Sequence, residues 1–160
     1  GAGDLGFAPL EQYGMAPDSL IQNQLALVAM FEYMIGNTDW DIASFRNLYL
    51  LRPSNGEKIC VMPFDFDFSG FVSAPYALPS STSGLRNVQE RLLMAEGIPQ
   101  AALQTAVSKI QSARPDLLAL CASPFLSKST SKEMTRYIES YFEMVEKDLQ
   151  KQQKSKGSVR

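Results

Sequence analysis

Three acidic side chains and one amide could do chemistry, because they lie in short loops beside apolar runs rather than at helical spacing. Asp39 lies just before one apolar run and Asn47 lies within it, whereas Asp65 lies at the end of the next run and Asp67 follows directly. Loops that hold such residues between regular elements are where binding and catalytic groups concentrate. Carboxylate and amide oxygens suit Mg²⁺, and a carboxylate can also orient or deprotonate a hydroxyl group.

Composition restricts this chemistry further. The chain has 160 residues, of which 45% are hydrophobic and 20% charged, and it contains no histidine. Catalysis by Ser-His-Asp or Cys-His groups and metal binding by histidine are therefore excluded. Cys60 and Cys121 are too few for a disulfide framework, and both are predicted to be buried thiols. Any catalysis would depend on carboxylates, amides or lysine.

Net charge and hydropathy argue against two classes of partner. The formal net charge of −2 provides no basic face for nucleic acid or for an anionic membrane surface. No run approaches the roughly 18 consecutive apolar residues of a membrane helix, and no secretory signal pattern is present. Residues 151–160 are basic and polar, which predicts a solvated, frayed tail. The sequence predicts neither nucleic-acid binding nor a membrane span.

The periodicity of apolar residues predicts a mainly α fold with one β-hairpin. Residues 1–18 are rich in glycine and proline and are predicted to be irregular, whereas residues 19–150 are predicted to form a single domain. The first helix is predicted to start from an N-cap at Asp18 or Ser19 and to end at Gly36, which tolerates the left-handed conformation.

Two short apolar runs predict the hairpin. They cover residues 45–51 and 58–66, and Pro53-Ser54-Asn55-Gly56 between them is a strong turn signal. Antiparallel strands joined by a short turn bring their outer ends together. The hairpin therefore predicts that the acids and the amide converge at one rim.

The rest of the chain is predicted to be helical after an irregular aromatic loop at residues 71–81. The predicted helices are one from about Ser83 to Gly97 with a stripe of Leu85, Val88, Leu92 and Leu93, a second that carries Leu103, Val107 and Ile110, a short third that starts near Pro115, and a last one from about Ser131.

The run Asp65-Phe66-Asp67-Phe68-Ser69-Gly70 permits three interpretations. The first is a calcium loop, since its acids, serine and glycine match the start of an EF-hand, although Tyr76 stands where a bidentate glutamate is required. The second is the Asp-x-Asp of haloacid-dehalogenase-type phosphatases, in which Asp65 and Asp67 would be nucleophile and acid/base. That fold needs a parallel sheet built from alternating strands and helices, which the helical second half of the chain disfavours.

The third interpretation uses both loops. Phosphoryl transfer in kinase-like enzymes needs a carboxylate that orients the attacking hydroxyl, an amide that binds metal and a second carboxylate that holds Mg²⁺. Asp39, Asn47 and Asp65 occur in this order, with the predicted hairpin between the last two.

Three runs carry a family resemblance: Gly36-Asn37-Thr38-Asp39-Trp40, Asn47-Leu48-Tyr49-Leu50 and Met62-Pro63-Phe64-Asp65-Phe66-Asp67. Together they resemble the catalytic-loop and metal-loop block of the spore-coat CotH-like atypical kinases, a branch of the protein-kinase-like fold. The remainder of residues 20–150 resembles the C-terminal part of related bacterial proteins. The resemblance implies the C-terminal helical lobe of a kinase-like phosphotransferase.

The resemblance also implies roles, cofactors and partners. Asp39 would be catalytic, Asn47 and Asp65 would bind metal, and Asp67 would be an alternative or second ligand; Mg²⁺ or Mn²⁺, ATP and a hydroxyl-bearing substrate are expected. The spacing of Asp39 and Asn47 is wider than in the common kinase loop, so the loop should bulge or Asp41 should share the catalytic role. Residues 1–18 cannot form a glycine-rich nucleotide-binding lobe, so that lobe either lies in a part of the protein outside residues 1–160 or has been lost, and the isolated chain is expected to be inactive.

An alternative from another class is a non-catalytic interaction module that keeps the helical lobe as a scaffold. Each polar residue could then have a local role, since Asn and Asp side chains commonly close helices and turns by bonding nearby backbone groups. Trp40, Phe66, Phe68 and Tyr76 are predicted to be packing residues rather than a substrate platform.

Overall fold

The computed structural model describes residues 7–9, 19–54, 56 and 58–157. Within these residues the elements in chain order are β1 (Phe7–Pro9), α1 (Gln22–Ile35), β2 (Leu48–Pro53), β3 (Cys60–Pro63), α2 (Gln100–Ser112), α3 (Arg114–Cys121) and α4 (Lys128–Gly157). The mixed helical and strand content agrees with the predicted fold class, and the likeness to a kinase lobe stays a prediction. In the described residues no helix carries the long apolar run that crossing a bilayer would need.

The strands form an antiparallel sheet in the order β1-β2-β3. The pairing of Leu48 with Pro63 and of Leu51 with Cys60 confirms the predicted hairpin, with shorter strands than the apolar runs suggested. The prediction that residues 1–18 are wholly irregular was wrong at β1, which pairs with Leu51–Pro53. Three residues are too few for an alternating pattern to be readable in the sequence. The other residues of that segment lie outside the described ones.

Helix α1 supplies most of the buried face beneath the sheet. Its apolar side chains Leu25, Val28, Met30, Met34 and Ile35 are buried. Gly36 ends it with φ of 67°, as predicted, since glycine has no Cβ to clash in this conformation. The prediction of Ser19 as N-cap was wrong. The helix instead starts after Ile21, and the Ser19 carbonyl accepts the Ile59 amide, because pairing with the segment before β3 extends the chain there.

Gln24 joins helix α1 to strand β3 by two hydrogen bonds. The Val61 amide donates to Gln24 Oε1 over 3.0 Å, and Gln24 Nε2 donates to the Val61 carbonyl. The side-chain amide thereby satisfies both backbone groups of a buried residue on the edge of the sheet, where no further strand does so. This contact holds the start of the helix against the strand that leads to Asp65.

Replacing Gln24 by alanine should destabilise the protein. The change leaves two buried backbone groups unpaired, which costs about 1–3 kcal/mol and lowers the melting temperature by about 3–10 °C. Asn23→Ala is the matched control, because Asn23 is exposed on the same helical turn. Thermal unfolding followed by circular dichroism measures both. Equal melting temperatures of the two variants would contradict a structural role for Gln24.

The predicted helix from Ser83 to Gly97 is absent, and that prediction was wrong. Residues 81–99 are irregular, and Leu92 and Leu93 of its supposed buried stripe are 37% and 40% exposed. Polar side chains, rather than backbone carbonyls of a helix, accept two backbone amides of this segment. Asn87 Oδ1 accepts the Gln89 amide, and the Glu90 carboxylate accepts the Arg86 amide. Such local bonds compete with helix formation, which the apolar spacing alone cannot reveal.

Internal contacts divide the chain into two compact units, residues 1–108 and 109–160. In the second unit, α3 starts with Pro115 in its first turn, as predicted, and packs on α4. Arg114 binds Glu146 at 3.0 Å and lies 4.9 Å from the centre of the Phe142 ring. Helix α4 continues to Gly157 where a frayed tail was predicted from residue 151. The single domain over residues 19–150 stays a prediction.

Candidate functional site

Asn47 and Asp39 are held together at the rim of the hairpin. Asn47 Nδ2 donates to the Asp39 backbone carbonyl over 2.7 Å and to Asp39 Oδ2 over 3.0 Å. The second oxygen of Asp39, Oδ1, lies 3.4 Å from Arg46 Nε, and this ion pair is partly exposed. Both bonds to Asn47 use its nitrogen, so its Oδ1 has no hydrogen bond to a described residue and can accept another ligand.

The backbone of this loop is unusual at the residues that matter. Asn47 has φ of 55° and Phe45 has φ of 53°, whereas Asn47 was expected in or beside a regular strand. Non-glycine residues at positive φ are uncommon, and such conformations concentrate at functional sites. Asp41 and Arg46 form an isolated antiparallel bridge that encloses the intervening residues as a turn. The loop therefore bulges, which is how the wider spacing of Asp39 and Asn47 is accommodated.

The Asp41 carboxylate is bonded within the turn that follows it, and a catalytic role shared with Asp39 stays a prediction. Its carboxylate accepts the hydroxyl and amide of Ser44 and the amide of Ala43. The Ser44 hydroxyl bond, followed by these backbone bonds and the charge of Arg46, lowers the pKa of Asp41. A carboxylate held in this way stabilises the turn and is a poor proton acceptor.

Asp65 and Asp67 lie beyond the end of β3 and interact with each other. A side-chain hydrogen bond with Asp67, then the charge of Asp67 and more weakly that of Asp39, raises the pKa of the exposed Asp65 carboxyl. Asp65 also has positive φ, 60°. Asp67 Oδ2 accepts the hydroxyl of Tyr76 over 3.0 Å. The structure thus brings Asp65 close enough to Asp39 for the two carboxylate charges to interact.

Backbone hydrogen bonds fix this second loop against the first. The Phe64 amide donates to the Asn47 carbonyl over 3.0 Å, directly before Asp65. Farther along, the Gly70 amide donates to the Gly36 carbonyl at the end of α1. Asn47 therefore contacts both loops, one through its side chain and the other through its backbone. The predicted convergence of Asp39, Asn47 and Asp65 at one rim occurs in the structure.

The two competing interpretations of the acidic run do not fit this geometry. Ser69, which would be a calcium ligand, is fully buried, and its Oγ accepts the Val72 amide. The described strands are antiparallel, whereas haloacid-dehalogenase-type phosphatases present their Asp-x-Asp from a parallel sheet. Neither a calcium loop nor that phosphatase site is formed by Asp65 and Asp67 here.

The donor set suits Mg²⁺ bound in part by other ligands. Among the described residues, no group of three or more acidic or thiol side chains is close enough to hold a metal ion. Two carboxylates and the Oδ1 of Asn47 remain, and Mg²⁺ typically takes one or two carboxylates and completes its shell with water and substrate phosphates. The mutual repulsion of Asp65 and Asp67, together with the nearby Asp39, is what a bound cation would relieve.

Aromatic residues around the site mainly pack. Trp40 is 2% exposed, and the Phe66 ring meets the Phe31 ring edge to face at 5.6 Å. Phe68 meets Tyr76 in the same manner at 6.0 Å, although Tyr76 is 62% exposed. A cavity of about 300 Å³ adjoins the residues after Asp39; its lining is Trp40, Asp41, Ile42, Leu93, Met94, Ala95 and Glu96. The packing role predicted for Trp40 and Phe66 agrees with their positions.

Glu32 is a buried acid that sequence reasoning missed. It lies in α1, is fully buried, and neither of its carboxyl oxygens has a hydrogen-bond partner among the described residues. Burial raises its pKa from 4.5 to about 7, and the nearby Asn37 side chain opposes part of that rise. The signal was available in the sequence, since Glu32 lies at helical spacing between the apolar Val28 and Ile35.

Substitutions of Asn47 should separate backbone strain from side-chain contacts. Glycine tolerates positive φ, so Asn47→Gly loses only the two bonds to Asp39, whereas Asn47→Ala adds the cost of a left-handed alanine. Relative to Asn47→Gly, the alanine variant should be less stable by about 1 kcal/mol. Urea unfolding measures the difference. Alanine as stable as glycine would mean that the loop relaxes out of this conformation.

Comparison with protein families, with curated proteins and with solved structures finds no match to this chain.

Proposed function

We propose that this protein is the C-terminal lobe of a kinase-like phosphotransferase that transfers a phosphoryl group from ATP to a hydroxyl group with Mg²⁺ or Mn²⁺. The observation that carries the proposal is the position of Asn47. Its side chain binds Asp39, and its carbonyl accepts the Phe64 amide beside Asp65. One residue thus links the two acids that this chemistry requires.

Asp39 is the group that orients or deprotonates the acceptor hydroxyl. The Asn47 amide and the Arg46 guanidinium both contact its carboxylate, which fixes its direction. The ion pair with Arg46 is partly exposed, so Arg46 can move aside when a substrate approaches. The cavity beside Trp40 lies next to this loop and offers space for a hydroxyl-bearing acceptor.

Asp65 and the Asn47 Oδ1 hold the metal ion, with Asp67 as a second ligand. A bound Mg²⁺ neutralises charge on the phosphate oxygens during transfer. The hydrogen bond from Tyr76 to Asp67 restricts the Asp67 carboxylate, whereas Asp65 is exposed and is the primary ligand. Asparagine and aspartate accept the left-handed backbone at these two positions more readily than most residues do.

In this proposal a separate nucleotide-binding lobe covers the ATP, in the manner of CotH-like kinases, and we expect little transfer by residues 1–160 alone. Binding of Mn²⁺ needs only the residues named above and is expected without that lobe.

An interaction module is a second candidate, favoured by the apolar side chains exposed between Gly70 and α2. Tyr76 is 62% exposed and Leu78 is 74% exposed. Exposed apolar side chains that lie near one another in sequence can mark a protein contact. In this case Asp39, Asn47 and Asp65 would serve only to shape the loops that carry this surface.

Binding of Mn²⁺ to the wild-type chain distinguishes the two functions. We expect substoichiometric Mn²⁺ to broaden the amide signals of Asn47, Asp65 and Asp67 selectively in ¹⁵N spectra, and calorimetry with Mn²⁺ and ATP to show binding. The amide signal of Glu143, an exposed residue of α4, provides the internal reference. Uniform broadening, with no heat of binding, would contradict the phosphotransferase site and leave the interaction module.

A further inference from the structure

Two buried polar groups next to the Asp39 loop lack partners, and they lie beside each other. Glu32 is 0% exposed and Asn37 is 1% exposed. Both carboxyl oxygens of Glu32 and the Nδ2 of Asn37 lie outside hydrogen-bond geometry with every described residue, each other included. The two side chains are nevertheless close enough for Asn37 to lower the pKa of Glu32, and the Asn37 backbone amide donates to the Glu32 carbonyl. An unpaired buried polar group costs free energy, so native structures rarely keep one without a function.

The other polar side-chain atom of Asn37, its Oδ1, is directed at the Asp39 loop. The side-chain Oδ1 of Asn37 accepts the backbone amide of Asp39 over 2.9 Å. The backbone amide of Asn37 donates to the backbone carbonyl of Glu32, also over 2.9 Å. With Oδ1 committed to Asp39, Nδ2 must point elsewhere, and Glu32 is the acid close enough to interact with it. If the Asn37 side-chain amide were flipped, its oxygen would face the Glu32 carboxyl and its nitrogen would face the Asp39 N–H. The first contact sets two acceptors against each other and the second sets two donors against each other, so both are unfavourable.

We propose that Glu32 is a positioning residue: its carboxyl holds the Asn37 amide in the orientation that fixes the backbone of Asp39. The chemical role of Asp39 rests on the proposed function, but the burial of Glu32 beside Asn37 and the bond from the Asp39 amide to Asn37 Oδ1 do not. The cavity-facing end of the loop is thereby anchored to the buried face of α1. Glu32 touches neither substrate nor metal in this arrangement.

The surroundings of Glu32 make its state readable. Besides burial, the Asn37 side chain is what shifts the pKa of Glu32, and no charged group on a packed element contributes. Two residues farther along α1, Arg91 Nε donates to the Met34 carbonyl over 3.0 Å. Because the chain has no histidine, a transition near pH 7 at this loop can be assigned by mutating one acid.

The first test is a pH titration of the 160-residue chain by ¹⁵N NMR, without metal or nucleotide. We expect the Asn37 side-chain amide and the Asp39 backbone amide to shift together with a midpoint at about 7 in the wild type, matching the raised pKa of Glu32. In Glu32→Gln, which keeps an acceptor but cannot titrate, both shifts should become flat. An Asp39 amide that ignores pH while the Glu32 carboxyl titrates would overturn the proposal.

The second test exchanges donor and acceptor. Asn37→Asp retains an acceptor for the Asp39 amide but sets two carboxyls against each other, so its melting temperature at pH 8 should fall by about 5–10 °C. The double variant Glu32→Gln/Asn37→Asp restores one donor facing one acceptor and should recover most of that loss. Additive losses would show that the two side chains act separately. Neither test needs phosphotransfer, so failure of the proposed function would leave both results interpretable.

Discussion

Replacing Asp65 by asparagine is expected to abolish the stabilisation of the protein by Mn²⁺. If Asp65 is the primary ligand, wild-type protein at a Mn²⁺ concentration of about 100 times Kd gains roughly 2.7 kcal/mol, or about 5–10 °C in melting temperature. Asparagine tolerates the positive φ at this position, so the backbone is preserved while one charged oxygen is lost. If the proposed phosphotransfer is reconstituted with a nucleotide-binding lobe, it should fall by more than about 100-fold in this variant.

The metal-free protein supplies a second, opposite readout. Asp65→Asn removes the repulsion between Asp65 and Asp67, so its melting temperature without metal should equal or exceed that of the wild type. Asp65→Ala is less suitable, because alanine adds strain at positive φ. Glu143→Gln is the matched control, since it removes one negative charge from an exposed helical position.

Two outcomes would change the assignment of the ligand. If Asp67→Asn abolishes the Mn²⁺ shift and Asp65→Asn does not, Asp67 is the primary ligand and its bond with Tyr76 must open to admit the metal. If both variants keep the full shift, the metal binds elsewhere and the proposed site is wrong. Differential scanning fluorimetry with Mn²⁺, Mg²⁺ and a chelator measures each case.

Stability should decrease as the pH rises from about 4.5 to about 7, because of Glu32. Its pKa is 4.5 when unfolded and about 7 when folded, so the folded state binds the proton more tightly. The resulting stabilisation is fully present below the unfolded pKa and is lost as pH rises through the folded pKa. The difference corresponds to about 3 kcal/mol between these limits.

Glu32→Gln isolates this contribution. The glutamine side chain carries no charge at any pH. Above pH 7 the free energy of unfolding of the variant should therefore exceed that of the wild type by about 3 kcal/mol, and near pH 4 the two values should be similar. Urea unfolding at four pH values gives the difference curve. Asp65 also has a raised pKa, but it is present in both proteins and cancels in the difference. Parallel curves would mean that Glu32 is hydrated or paired in the folded state.

The sequence alone predicted the elements that depend on local rules. Helix α1 ends at Gly36 because glycine accepts the left-handed cap, and the hairpin follows from a strong turn signal between two apolar runs. Apolar spacing also predicted α2, α3 and α4. The order of Asp39, Asn47 and Asp65 about the hairpin was enough to predict that they meet, because strand pairing fixes which ends lie together.

Local patterns failed where nearby or distant partners compete. The apolar residues from Leu85 to Leu93 have helical spacing, yet the segment is irregular. Local bonds such as that from the Gln89 amide to Asn87 Oδ1 compete with helix formation there. Arg91 then anchors it to the Met34 carbonyl, a contact 57 residues away in sequence. Strand β1 is likewise formed by pairing with β2 rather than by any signal in its three residues.

Tertiary structure decided the environment of each acidic side chain, which the sequence could not. The sequence by itself determined which residues could do chemistry and that, in a chain without histidine, any catalysis would depend on carboxylates, amides or lysine. It could not distinguish Asp41, whose carboxylate caps a turn, from Asp39, which Asn47 and Arg46 orient. Nor could it place Glu32 in the interior beside Asn37. The role of a carboxylate depends on its burial and on the donors around it, and both are set only when distant segments pack.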